Sequence, residues 1–80
     1  MDNDAVDAVK YIIATNLGVK ADTIRLENDL IDDLGADSIG LVCITLGLEA
    51  FFDITISEEE AENILTVKDA VQHVVQKKEA

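Results

Sequence analysis

Apolar residues recur at helical spacing near both ends of the chain. Between Asp4 and Leu17, Ala5, Val9, Ile12 and Ile13 fall on one stripe that Leu17 continues, which predicts a first helix. Asn3 or Asp2 is placed to cap it, and Asp4 and Asp7 suit the positive end of its dipole. Gly18 follows, where a left-handed residue closes a helix. After Thr66, the spacing of Val67, Ala70, Val71, Val74 and Val75 predicts the last helix, with Lys77 and Lys78 at its negative end. Two more elements lie between them. A second helix is expected from Ser38 to Phe52, with Asp37 or Ser38 as its N-cap. Ser57-Glu58-Glu59-Glu60 has the form of a capping box and predicts a short third helix ending near Asn63.

The stretch from Val19 to Asp37 is rich in Asp and Asn, and loops of that length are usually functional. Ile24, Leu26, Leu30, Ile31 and Leu34 are expected to pin it to the core. Asp53 to Ile56 is the sole strand candidate and is very short. The pattern therefore predicts an all-α fold in one domain, residues 1–80. It is a small bundle of three main helices and one short one, with a long loop between the first two.

The second helix breaks the amphipathic rule. Leu41, Ile44, Thr45, Leu48 and Phe52 share one face, yet the opposite face carries Ile39, Val42, Cys43, Leu46 and Ala50. A small domain cannot bury both faces, so one is left for something else.

Composition narrows the function. Seventeen acids against six bases give 80 residues a net charge of −11, which lacks the basic footprint of nucleic-acid binding. An apolar fraction of 49% excludes a disordered acidic tail. One cysteine permits no internal disulfide and no CxxC zinc site. The charge-free run from Ser38 to Leu48 is too short for membrane insertion, and Met1-Asp2-Asn3-Asp4 reverses a signal peptide's basic start. These features point to a soluble, cytoplasmic protein, monomeric or weakly self-associating through its apolar helix. A domain this small has little room for an enclosed active site, which favours a binding or carrier role.

Ordinary catalytic groupings are thin. His73, the single histidine, lies on the polar side of the last helix and reads as a solvated residue. A nucleophilic pair with Cys43 would have to form between different helices. Asp29, Asp32, Asp33 and Asp37 fail the EF-hand template, because position 3 is Ile31 and position 6 is Leu34. Loose divalent binding is expected there, and no dedicated metal site.

The remaining feature is Leu34-Gly35-Ala36-Asp37-Ser38-Ile39, a glycine turn feeding a helix that opens on serine. Ser38 is either a plain cap or an attachment point, since free N–H groups at a helix start stabilise a phosphate. The run Asp32-Asp33-Leu34-Gly35-Ala36-Asp37-Ser38-Ile39 closely resembles the phosphopantetheine attachment motif of acyl carrier proteins, usually met as DLGADSL. Leu17-Gly18-Val19-Lys20, the segment from Phe52 to Glu62, and Thr66-Val67-Lys68-Asp69-Ala70-Val71 are also similar to that family, so the resemblance spans nearly the whole chain.

The resemblance implies a mechanism. A phosphopantetheinyl transferase, using coenzyme A and Mg²⁺, would join 4′-phosphopantetheine to Ser38, with Asp37 helping to hold the metal and Gly35 and Ile39 completing the motif. The arm's thiol would carry acyl groups as thioesters to the acyl-transferring or synthase enzymes of fatty-acid, lipid or polyketide biosynthesis. The protein itself would be no enzyme. Positions matching the family's acyl pocket are Leu30, Ile31, Ala36, Leu48, Ile56, Ala61, Ile64 and Ala70.

One departure marks the second helix. Gly40, Cys43, Ala50 and Phe51 stand where the family often has acids, leaving Glu49 as the sole acid from Ser38 to Phe52. A specialised carrier is therefore expected, with a mostly apolar partner face of Ile39, Val42, Cys43, Leu46, Glu49 and Ala50. The alternatives are a carrier of aminoacyl or polyketide units, or an acidic helical interaction module never modified at Ser38.

Overall fold

In the computed structural model, which describes residues 3–79, the chain folds into four helices: α1 (Asn3–Leu17), α2 (Ser38–Phe52), α3 (Glu58–Glu62) and α4 (Val67–Glu79). Asp2, one proposed cap of α1, lies outside the described residues. α1 packs on both α2 and α4. Their shared core holds Val9 and Ile13 of α1, Ile44 and Leu48 of α2, and Val67, Val71 and Val74 of α4. No strand forms among the described residues. Asp53 to Ile56 runs as a turn into loop, and one isolated bridge pairs Asp29 with Thr66.

The long loop is ordered by its own polar side chains. Asp29 Oδ1 accepts from the N–H groups of Ile31 and Asp32, and Asp33 Oδ2 accepts from Asp29 N–H at 2.7 Å. A single 3₁₀ turn at Ala21–Thr23 shortens its first half. Leu30 N–H donates to Leu65 O and Val67 N–H to Asn28 O, which stitches the loop to the start of α4. Ile24 and Leu30 enter the core, and Leu26 and Leu34 pack against it. Ile31 does not, and lies 49% exposed. The turn that turns Leu30 inward directs its neighbour to solvent.

Three helix ends follow local chemistry. Ser57 and Glu60 form the reciprocal capping box of α3. At α4, Thr66 Oγ1 accepts from Asp69 N–H while Asp69 Oδ2 accepts from the N–H groups of Leu65 and Thr66. α2 closes on Asp53, whose φ of 54° is left-handed, a conformation that aspartate tolerates better than most residues.

Gly47 marks a close approach of α1 and α2. A methyl group added there would sit 2.9 Å from Ile12 Cγ2. That atom is on a β-branched side chain with a stiff χ1. We expect Gly47→Ala to lower stability by about 1 kcal/mol, because overpacking costs about 1–3 kcal/mol against a helix-propensity gain of about 1. In an Ile12→Leu background, which lacks the Cγ2 methyl, the same substitution should become neutral or stabilising. Urea unfolding of the four proteins checks this; equal effects in both backgrounds would refute the close approach.

Candidate functional site

The Asp32–Ile39 run forms the turn into α2. Gly35 adopts φ +76°, which L side chains rarely occupy, and its N–H donates to Ile31 O. Ala36 N–H then donates to Leu30 O, and Ala36 is buried. This delivers Asp37 in extended conformation as the N-cap, with its Oδ1 accepting from Gly40 N–H at 2.7 Å. Ser38 is the first helical residue and is exposed. The capping task falls to Asp37, so the Ser38 hydroxyl is not consumed by it.

Beside Ser38 opens a cavity of about 440 Å³ between α2, α3 and the segments flanking α3. Its size lies within the range of small-molecule sites, about 300–1,000 Å³. Of the acyl-pocket candidates, Leu30, Ile56, Ala61 and Ile64 line it. Ala36, Leu48 and Ala70 are buried but do not reach it, because they fill the core. Ile31 is at the surface and stands outside it.

The residues of the expected partner face also separate. Ile39, Val42 and Leu46 are 74%, 57% and 58% exposed, and Cys43 and Ala50 are exposed with them. Val42 and Leu46 reach the cavity as well, so the open face of α2 runs into its mouth. Glu49 is half-buried at the cavity wall, where its Oε2 accepts from Ile56 N–H at 3.0 Å. Its carboxylate holds the loop between α2 and α3 in addition to any role at the surface.

His73 differs from its sequence reading. It is partly buried, and its Nε2 lies 2.8 Å from Glu60 Oε2, to which Lys77 Nζ also binds at 2.7 Å. Lys77, helped by Ser57 N–H, draws the Glu60 carboxyl down from its ordinary 4.5 to about 2. A folded value below the unfolded one means that this contribution is complete above about pH 4.5 and is lost as pH falls toward 2. Urea midpoints of the wild type and Glu60→Gln should therefore converge across that window, and less steeply in high salt, since the group is part-exposed. A difference that stays constant with pH would contradict the pairing.

The distribution of charge along the sequence also marks the site. Residues 26–67 contain eleven acids and no base, whereas the rest of the chain contains six of each. The whole net charge of −11 therefore lies in the segment that carries Ser38 and the cavity. Among the described residues, no helix is long and apolar enough to cross a membrane, and no group of three or more His, Cys, Asp or Glu side chains is placed to hold a metal ion.

A family model described as the phosphopantetheine attachment site matches residues 7–74. The chain belongs to that family. It is also similar to the solved acyl carrier protein from Enterococcus faecalis, at 36% sequence identity over 94% of this chain and 95% of that one, with a TM-score of 0.78. Fold and family together define an acyl carrier whose covalent cofactor is 4′-phosphopantetheine. Carriers of this kind interact with transferase and synthase enzymes.

Proposed function

We propose that Ser38 is the residue that takes the arm, and that the cavity beside it shelters the acyl cargo. The observation that carries this reading is the division of labour at the start of α2: Asp37 caps, and Ser38 stands exposed at the cavity mouth. The first-turn N–H groups and the helix dipole favour a phosphate on that hydroxyl. Asp37, exposed beside it, offers a carboxylate oxygen to the Mg²⁺ of the transfer reaction. When bound, the arm supplies a thiol that holds an acyl group as a thioester. Leu30, Leu41, Ile44, Ile56 and Ile64 give the cavity an apolar lining suited to an acyl chain.

The chain itself performs no bond chemistry. Cys43 is exposed on α2, while His73 Nε2 is engaged with Glu60, so the two do not act as a pair. Ile39, Val42, Cys43, Leu46 and Ala50 form the surface that meets partner enzymes of fatty-acid, lipid or polyketide synthesis, with the surrounding acids steering the encounter. The working compartment is the cytoplasm.

Incubation with coenzyme A, Mg²⁺ and a broad-specificity phosphopantetheinyl transferase, followed by intact mass, tests the attachment. A gain of one phosphopantetheine, localised to Ser38 by peptide mapping, is expected. No gain in folded protein would favour an unmodified interaction module.

A further inference from the structure

Helix α3 forms one wall of the cavity, through Glu58, Ala61 and Glu62, yet none of its residues is buried. Five residues make little more than one turn, and such a helix does not persist without tertiary support. Ala61 packs against the core, and the polar support comes from one side chain. Glu60 Oε1 accepts from Ser57 N–H, which closes the capping box, while Oε2 takes both His73 Nε2 and Lys77 Nζ from α4. Both contacts end on this oxygen. In the acid-only segment 26–67, Glu60 is thus the carboxylate that gathers polar partners from outside it, one of them the lysine cation.

We propose that Glu60, His73 and Lys77 form a latch that fixes α3 against α4 and so holds the cavity wall beside Ser38 in place. The neighbouring Glu58, Glu59 and Glu62 add like charge to α3 and favour its release once the Lys77 cation is lost. On α4, Lys78 is exposed and Asp69 is committed to the helix start, so Lys77 and His73 carry the attraction. The latch stands on this geometry; its consequence for cargo rests on the sheltering reading above.

Amide hydrogen exchange on the unmodified full chain tests it, with wild type, Lys77→Met and Glu60→Gln. Methionine keeps an apolar stem and leaves the capping box untouched, and glutamine retains the box. The amides of Ala61, Asn63 and Ile64, which close the turns of α3, should exchange about fivefold faster in each variant. The double variant should be no faster than Glu60→Gln alone, because Glu60→Gln already removes the charge to which Lys77 binds. High salt should accelerate these amides in the wild type and not in Lys77→Met. Unchanged α3 amides, or an equal acceleration at Ile13 in α1, would overturn the latch.

A second arm separates the readings. An octanoyl thioester on the modified wild type should react with hydroxylamine more slowly than free octanoyl-pantetheine, and Lys77→Met should alter that protection. Equal rates for wild type and free thioester would sink the sheltering reading, while the exchange data would still decide the latch.

Discussion

Ser38→Ala should lose the entire mass gain in the transferase reaction while keeping the stability of the unmodified parent within about 0.5 kcal/mol, the usual span for exposed positions without a structural task. Asp37→Ala should show the opposite balance. It removes the acceptor for Gly40 N–H and should cost about 1 kcal/mol, as N-cap losses do. The Ser38 hydroxyl remains, so modification should be slowed and not abolished. Urea unfolding and intact mass, measured on the same two variants, separate the roles. If Ser38→Ala were destabilised as much as Asp37→Ala, the serine would be sharing the cap, and its meaning as a free attachment point would weaken. If both variants were fully modified, attachment would lie elsewhere in the chain.

The contrast also shows why this site was legible. Attachment at a helix start needs only neighbours in sequence: a glycine that can turn, a capping aspartate and a serine. Gly35 at φ +76° and the Asp37–Gly40 bond are local events. The same holds for the stripes of α1 and α4 and for the Ser57–Glu60 box, each contained within one or a few turns. What escaped were polar contacts that depend on one segment meeting another. His73 looked solvated because its partner, Glu60, lies 13 residues away on a different helix. Glu49 reads from sequence as part of the partner face alone, because its acceptor role needs the loop to fold back to Ile56. The path of residues 19–37 was hidden for the same reason. Its apolar residues have no period, and its order comes from side chains of Asp29 and Asp33 and from backbone pairing with residues near Leu65. Ile31 and Leu30 are equally apolar, and only that turn decides which one enters the core.

The two-faced α2 was legible as a contradiction, and its resolution is open to a sharp test. Leu48 is fully buried, whereas Leu46, two residues away on the same helix, is 58% exposed. Leu48→Ala should cost about 2–5 kcal/mol, the range for leucine truncation in a core. In a domain of this size and charge that loss should leave little stability in reserve, since total stabilities are about 5–15 kcal/mol and a small domain sits low in that range. Leu46→Ala should change stability by no more than about 0.5 kcal/mol. Its effect should appear instead in transfer of cargo to a partner enzyme, as a loss of about tenfold in kcat/KM if Leu46 is a contact anchor. Salt separates the contributions further. Steering by the acids of residues 26–67 sets the encounter rate and weakens with ionic strength. An apolar contact at Leu46 does not. The fold-loss from Leu46→Ala should therefore be the same in low and high salt, even though both proteins slow as salt rises. A stable Leu46→Ala protein that transfers cargo at the parent's rate would remove α2's open face from the partner surface and return Leu46 to the cavity mouth alone.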